Sequence, residues 1–330
     1  MLPIAIRLKK DTMSSDKKKI LITGGTGFIG RNLVEHFARL ENYEVVSTYL
    51  TRTPPPVKGV RFERCDLRDP LQVNEILKGC DILIQAAATT SGSKDIVNLP
   101  SLHVTDNAVM NSYLFRAAHE LNVGRAIFFS CTVMYPTQMD RPLKETDFLQ
   151  DQIYPNYFGV GWTKVYIEKI CEFYSRLGRT KYTVVRHSNI YGPHDKYDLE
   201  KSHVFGATIT KVMQAESEIK VWGTGEETRD FLHVDDLMSF VETACAKQQS
   251  PFELVNVALG RSITVADLVR KVIESSKKDL KISFDVSKPT IPTRLEIDVT
   301  RAREIFGWAP RISLDEGIQK TIQWYRENIR

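Results

Sequence analysis

The sequence predicts an α/β fold, a doubly wound parallel sheet with a smaller C-terminal substrate domain. Three observations support this prediction. Short apolar segments alternate with helical segments of about ten to fifteen residues over the first half of the chain. A glycine-rich turn directly follows the first apolar segment. The chain of 330 residues has room for about two domains.

The first half supplies the strands and helices of the predicted sheet. In the helix after the glycine turn, Phe28, Leu33, Val34 and Phe37 recur at helical spacing, so they share one face. Alternation of strands with such helices predicts βαβ units and a parallel sheet. The predicted strands are residues 18–23, 43–49, 60–67, 80–88, 123–132 and 182–192, and the helices are 28–40, 71–79 and about 161–177.

The second half is expected to form the smaller, interleaved domain. After Asn189 the sequence becomes rich in polar and turn residues, and such loops at the ends of parallel strands bind ligands. Helical patterns resume at 262–276, with Ser262 or Thr264 as N-cap, and at 313–328. The predicted units are a disordered basic tail (1–18), a nucleotide-binding domain (19–188 plus about 231–257) and a substrate domain (about 189–230 plus 258–330).

The formal net charge of +4 comes from the N-terminal tail alone. Residues 1–19 carry six basic and two acidic side chains, which leaves the rest of the chain neutral. Nucleic-acid-binding domains carry a basic excess on their folded part, and a membrane helix needs about 18 to 20 apolar residues in a row. The sequence therefore indicates neither a nucleic-acid nor a membrane partner. The tail does not resemble a signal peptide, so we expect the protein in the cytoplasm.

Five cysteines, an odd number without CxxC spacing, argue against a disulfide framework and against a zinc site. The remaining candidate metal ligands are Asp235 and Asp236, which precede an amphipathic helix. Acidic residues in a first helical turn are explained by the helix dipole. We therefore predict no bound metal ion.

The glycine turn is the strongest local signal. Gly24, Gly27 and Gly30 are separated by two residues each and lie between a strand and a helix. Glycines at these positions allow a tight turn and close approach of the backbone to a pyrophosphate at the helix N-terminus. The pattern predicts dinucleotide binding.

The second predicted strand favours NADP(H) over NAD(H). It ends without an acidic residue for the ribose 2′-hydroxyl, and Arg52, which follows, suits a 2′-phosphate. Asp66 and Leu67, after the third strand, are placed in the adenine pocket. Ala86, Ala87 and Ala88 end the fourth strand and are small enough for a cofactor to lie over them.

Several motifs in a fixed order resemble one family. TGGTGFIG, CDL, AAA, GWTK, RHSNIYGP and WGTGEETRDFLHVDD are similar to the extended short-chain dehydrogenase/reductase family of the NAD-dependent epimerase/dehydratase type, nearest to its GDP-fucose synthase branch. The resemblance extends from about residue 19 to residue 330. It implies a seven-stranded Rossmann core, a nucleotide-diphosphate-sugar substrate and a homodimer formed through two long helices.

The resemblance also implies roles for individual residues. Lys164 would bind the nicotinamide ribose, Arg229 a pyrophosphate, and His203 would act as an acid in ring epimerisation. The implied cofactor site comprises Gly24, Gly27, Phe28, Ile29, Gly30, Arg52, Asp66, Leu67, Ala86, Ala87, Ala88, Asn107 and Lys164. The implied substrate site comprises Asn189, His203, Val204, Trp222, Arg229 and Arg294.

The sequence departs from the family at three catalytic positions. The family's acid/base tyrosine lies four residues before the lysine, and that position is Val160 here. The family's Ser or Thr falls on Cys131, and the cysteine that serves the GDP-fucose synthase branch as a base falls on Val133. Valine carries no exchangeable side-chain proton, so another group has to supply the proton in the reaction.

Two hypotheses follow from these departures. In the first, the protein is a nucleotide-sugar epimerase or reductase in which Tyr157, Cys131, Thr132 or His203 handles the proton, with Lys164 retained. In the second, it binds NAD(P) and a sugar nucleotide without turnover, in a regulatory or assembly role. We favour the enzyme. Three further histidines near the proposed cleft are interpreted as hydrogen-bonded structural residues: His187, His194 and His233.

Overall fold

The computed structural model describes residues 17–89, 99–288, 290–291 and 293–329. The strands in these ranges are β1 (Lys18–Thr23), β2 (Tyr43–Tyr49), β3 (Val60–Arg64), β4 (Ile82–Gln85), β5 (Arg125–Phe129), β6 (Lys181–His187), β7 (Asn189–Tyr191), β8 (Glu218–Trp222), β9 (Thr228–His233), β10 (Phe252–Val257), β11 (Ser262–Thr264) and β12 (Lys281–Asp285). The α-helices are α1 (Phe28–Ala38), α2 (Pro70–Leu77), α3 (Thr105–Glu120), α4 (Phe158–Ser175), α5 (Val204–Gln214), α6 (Val234–Lys247), α7 (Val265–Ser276), α8 (Thr300–Phe306) and α9 (Leu314–Asn328).

The main sheet confirms the predicted fold class. In the described residues it has seven strands in the order β10-β6-β5-β4-β1-β2-β3. Every neighbouring pair is parallel. The order reverses beside β1, between β4 and β2, and such a switch point opens a crevice at the carboxyl ends of the strands. Residues 1–16 of the predicted basic tail lie outside the described residues.

Apolar residues fill both faces of the main sheet. On one face, Ile20 and Ile22 of β1 pack with buried residues of α1 and α6. On the other, Leu21 packs with buried residues of α2, α3 and α4. Successive residues of β1 are buried on opposite faces of the sheet, so the strand is a continuous apolar run, as expected when helices cover both faces. No helix within the described ranges combines the length and the apolar character needed to cross a membrane.

A third core lies in the C-terminal part of the chain. It joins buried residues of α5, α7 and α9 with strands β8 and β9. Small sheets frame it, one in the order β11-β9-β7 and one formed by β12 and β8. Thr264, one of the two predicted N-caps, caps α7 by accepting a hydrogen bond from the Asp267 amide at 3.0 Å. The exact division of the chain between two domains stays a prediction.

One predicted strand is divided in the structure. Residues 182–192 form β6 up to His187 and then a separate strand, β7. The Ser188 amide still donates to the Val257 carbonyl at 3.1 Å, the last link to the main sheet. Beyond it, β7 pairs with β9 because its side chains Ile190 and Tyr191 are buried between the sheet and the C-terminal core. The chain therefore turns away from the main sheet beside the predicted cleft.

A buried ion pair joins α4 to β6. The Arg186 guanidinium donates to both carboxylate oxygens of Glu168, at 3.0 and 2.7 Å, and both side chains are 4% exposed. Ser130 donates to the same carboxylate at 2.5 Å. Arg186 also donates to the Tyr135 hydroxyl at 3.1 Å, and Tyr135 in turn donates to Asn256 at 2.7 Å. The network links the ends of β5, β6 and β10 with helix α4.

Breaking this pair is expected to destabilise the protein strongly. Glu168→Gln leaves the Arg186 charge buried without its counter-ion, a change that costs about 3–5 kcal/mol in comparable pairs. We expect the free energy of unfolding, measured by urea titration with circular dichroism, to fall by that amount. Glu120→Gln in the exposed Arg116–Glu120 pair is the control, with an expected change below about 0.5 kcal/mol. A loss below about 1 kcal/mol for Glu168→Gln contradicts the prediction.

Candidate active site

The glycine turn between β1 and α1 is shaped to receive an anionic ligand. Gly24 has a φ of +71°, and a Cβ there would lie 2.7 Å from the Cα of Ala87. A Cβ on Gly30 would lie 2.1 Å from the Gly24 carbonyl oxygen. Gly27 precedes α1, and no described side chain caps this helix or places an acid in its first turn. Its first amides therefore remain available to a phosphate.

The neighbouring strands form the walls of this crevice. Arg52, after β2, is exposed and donates to the carbonyl of Thr26 in the glycine turn at 3.2 Å. Phe28 and Ile29 are partly buried at the start of α1, with Ala86 and Ala87 beside them, and Ala88 is exposed. These positions place most of the predicted cofactor residues along one edge of the sheet.

Two predicted cofactor residues have firm local structural roles. Asn107 holds the backbone of Thr89 through both its amide nitrogen and its amide oxygen, at 2.9 and 3.0 Å. Asp66 accepts hydrogen bonds from the side chain of Arg68, which lower the pKa of Asp66 to about 2. Leu67, next to it, is buried against the sheet. These contacts fix the backbone around the predicted adenine pocket.

Lys164 lies at the ends of β5 and β6. Its Nζ donates to the Phe129 carbonyl at 2.7 Å and lies 4.7 Å from the centre of the Phe128 ring. Burial lowers the pKa of Lys164, and the acidic groups of Cys131 and Glu168 oppose that shift. The lysine is therefore held at the carboxyl edge of the sheet, where the family resemblance expects it.

Two of the groups proposed to replace the tyrosine, Cys131 and Tyr157, pack against the same small cluster of buried residues. Cys131 is partly exposed just after β5; burial raises the pKa of its thiol, while the charge of Lys164 lowers it. Tyr157 ends the short turn before α4, and burial also raises its pKa. The charged neighbour that acts most on Tyr157 is Arg229. Cys131 also acts on Tyr157, so the two groups lie in one region of the structure.

Two histidines complete the region around Lys164. His203 precedes α5 and reaches solvent; desolvation lowers its pKa, and so do the charges of Lys196 and His103. His187 is the last residue of β6, and its ring lies 6.2 Å from that of Phe129. The pKa of His187 is lowered to about 4, mainly by burial and also by the charges of Lys164 and His203, while its hydrogen bond to Ser188 opposes the shift. Lys164 and His203 therefore both act electrostatically on His187.

Three of the predicted substrate residues lie on or beside strands β7 and β9. Asn189 donates to the Asp230 carbonyl at 3.0 Å. Arg229 donates to the carbonyls of Thr228 and Ile291, at 2.9 and 3.2 Å, and burial lowers its pKa. Arg294 is exposed, and its amide donates to the Thr137 carbonyl at 2.8 Å.

The other substrate candidates are less closely grouped. Val204 is the first, partly buried residue of α5, directly after His203. Trp222 ends β8 with 52% of its side chain exposed, and Lys211 lies 5.4 Å from the centre of its ring. Thr132 is partly exposed beside Cys131, and its carbonyl accepts the Tyr135 amide at 3.1 Å.

Of the three histidines interpreted as structural, two have clear structural partners. His233 caps α6 by accepting the Asp235 amide at 3.2 Å, and His194 pairs with Glu35 at 3.2 Å. His187 instead stands beside Lys164. The signal in the sequence was its place as the last residue of a buried parallel strand, where side chains face the ligand crevice. In the described part of the chain, no three His, Cys, Asp or Glu residues form a potential metal site.

A family model for the NAD dependent epimerase/dehydratase family matches residues 20–258. The chain belongs to this family. The matched range includes the glycine turn, Lys164, both histidines beside it and Arg229. The family identifies the chain as one of the NAD-dependent epimerases and dehydratases, which confirms the resemblance and the expected enzyme class.

Individual relatives of this NAD dependent epimerase/dehydratase are similar over their whole length. GDP-L-colitose synthase of Yersinia pseudotuberculosis is 28% identical over 314 residues, 93% of this chain and 97% of the relative. GDP-L-fucose synthase of Escherichia coli K12 is 28% identical over 326 residues, 94% and 98% of the two chains. Among solved structures, UDP-glucose 4-epimerase of Thermotoga maritima with UDP-glucose has a TM-score of 0.83 and 25% identity, covering 94% of this chain and 100% of that one.

Proposed function

We propose that the protein is an NADP-dependent epimerase or reductase acting on a nucleotide-diphosphate sugar with a ketone at C4, with GDP as the nucleotide. One observation carries this proposal. Arg229 is partly buried, and its guanidinium donates to two main-chain carbonyls. Both contacts are to neutral carbonyl oxygens and not to a carboxylate. The planar N–H donors of the guanidinium therefore suit a diphosphate. The relatives named for GDP-linked sugars support the choice of nucleotide.

The residues along the cleft fit a dinucleotide, and different groups serve cofactor binding and proton transfer. The uncapped start of α1 and the glycine turn would hold its pyrophosphate. A Cβ at Gly24 or Gly30 would clash with the backbone of Ala87 or of Gly24 and so deform this turn. When bound, the dinucleotide supplies or accepts a hydride. Lys164 places a positive charge beside the reacting sugar. Cys131, Thr132, Tyr157 and His203 remain the candidates for proton transfer in place of a tyrosine.

Turnover of a GDP-linked 4-keto sugar tests the proposal. Purified protein with GDP-4-keto-6-deoxymannose and NADPH is expected to oxidise NADPH or to exchange sugar-ring protons with D₂O. Absence of both, with the sugar nucleotide still bound, would support the non-catalytic alternative.

Val160→Tyr provides a sharper prediction. Val160 lies on α4 one turn before Lys164, so a tyrosine there restores the family spacing and brings a phenol to the lysine. A general acid contributes about 10²–10⁴ in rate, and we expect the variant to oxidise NADPH at least tenfold faster than the wild type. Val160→Phe is the control, because it adds the ring without the hydroxyl. Equal rates of NADPH oxidation for Val160→Tyr and Val160→Phe would show that another residue acts as the acid.

We propose that Arg52 selects NADP(H). It is exposed beside the glycine turn, and β2 ends without an acidic residue to bind the ribose hydroxyl. Arg52→Ala is expected to weaken NADPH binding at least tenfold, because a charge-assisted contact to the 2′-phosphate is lost, while NADH binding changes less than threefold. Fluorescence titration measures both dissociation constants. Arg39→Ala, at the other end of α1, is the control. Equal weakening for both cofactors would refute the selection.

We also propose a homodimer formed through α3 and α4. Tyr166 and Phe173 on α4 and Leu177 just after it are 49%, 56% and 56% exposed, at a spacing that places them on one helical face. Apolar exposure of this kind marks an interface. Sedimentation is expected to give twice the chain mass of 37.7 kDa, and Phe173→Glu is expected to give the monomer. Leu71→Glu on α2, also exposed, should remain dimeric.

We propose that the protein works in the cytoplasm. All five cysteines are free thiols, and four of them are buried. Thiols persist unpaired in a reducing compartment.

A further inference from the structure

We propose that His187 is a further catalytic residue, the base that removes a proton from the sugar carbon next to the C4 ketone. This inference rests on the proposed function, since it requires a keto-sugar substrate. It concerns a position that the sequence pattern had marked as structural.

The position of His187 brings it to the reacting end of the cleft. β5 and β6 are neighbouring parallel strands, with Phe129 opposite Val185. Phe129 links two groups at this edge: its carbonyl accepts Lys164 Nζ at 2.7 Å, and its ring lies 6.2 Å from the His187 ring. The histidine therefore stands at the carboxyl end of the sheet, one strand away from the contact that fixes the lysine.

The imidazole is held in one tautomer. Nδ1 lies 2.7 Å from the Ser188 carbonyl oxygen. A carbonyl oxygen only accepts, so Nδ1 carries the hydrogen and Nε2 of the neutral ring carries a lone pair. Among the described residues, Nε2 has no hydrogen-bond partner. The ring is partly exposed, so this lone pair is available to a ligand in the cleft.

The surrounding charges keep the ring in its basic form. Lys164 on α4 and His203 before α5 both disfavour a proton on His187, and burial of the ring acts in the same direction. A base has to be unprotonated before it can act. Val133, which stands where the family branch has its cysteine base, offers no lone pair. His187 supplies one at the same end of the cleft.

The proposed step is balanced without any further reactant. The C–H bond next to the ketone breaks, its proton moves to His187 Nε2, and its electron pair forms the enolate conjugated with C4. Lys164 stabilises the negative charge on the enolate oxygen. His203, whose pKa is lowered by desolvation, takes up a proton from solvent for this step. It then gives that proton to the other face of the carbon, which inverts it. His187 releases its proton to water.

Proton exchange in D₂O with GDP-4-keto-6-deoxymannose tests this role. His187→Asn removes Nε2 but keeps an N–H that can donate to the Ser188 carbonyl, which separates the catalytic role from the structural one. We expect exchange of the ring protons, followed by NMR, to slow at least 100-fold. The dissociation constants for NADPH and GDP are expected to change less than threefold. His36→Asn, whose native ring contacts Glu242 on α6 at 2.8 Å, is the matched control and should exchange at the wild-type rate.

The outcomes separate this inference from the proposed function. A His187→Asn rate within threefold of the wild type overturns the assignment and leaves the function intact. The assignment of His187 is also overturned, with the proposed function intact, if the wild-type protein oxidises NADPH without exchanging ring protons. If the wild type does neither, the proposed function fails. In that case the ¹⁵N chemical shift of His187 Nε2 is measured on adding the sugar nucleotide. An unchanged shift overturns the proposed contact between His187 and the sugar nucleotide, and a changed shift supports it.

Discussion

The buried pair between Glu168 and Arg186 is the interaction on which the active-site region depends. Glu168 lies one helical turn after Lys164, and its carboxylate also accepts Ser130, the residue after the Phe129 carbonyl that holds the lysine. Both anchors of Lys164, the helix and the strand end, are therefore tied to one carboxylate. The position of a catalytic side chain is fixed precisely when the elements that carry it cannot move independently.

The same network extends from the sheet to the substrate side. Arg186 reaches Tyr135 and the Glu145 carbonyl, and Tyr135 reaches Asn256. Asn256 donates to the carbonyls of Leu143 and Asp298 at 2.9 and 3.1 Å. Residues 137–143 and 294–298 pair alongside it through short parallel bridges. A segment late in the sequence is thereby fixed against the loop after β5, which gives the cleft a wall from each half of the chain.

The fold and the cofactor crevice could be predicted from the sequence because their signals are local. Strand period, helix period and the glycine spacing each depend on neighbouring residues, and the structure places β1, α1 and β2 at the expected positions. The turn of the chain at Ser188 could not be predicted, since β7 leaves the main sheet to pair with β9, about forty residues later. The environment of His187 depends likewise on Lys164 and His203, which are distant in sequence. The group that handles the proton in the proposed reaction could not be predicted from spacing, because that assignment requires three-dimensional proximity.

The uncapped start of α1 has a consequence for the protein as a whole. Its first amides lack a capping side chain, and no acidic residue balances the positive end of the helix dipole. A phosphate bound there contributes interactions that the free protein does not have, so a dinucleotide that binds only the folded state raises the free energy of unfolding. At one hundred times its dissociation constant, the increase is about 2.7 kcal/mol. Resistance to unfolding and proteolysis in the cell therefore follows the local supply of cofactor, and the protein becomes most vulnerable when that supply falls.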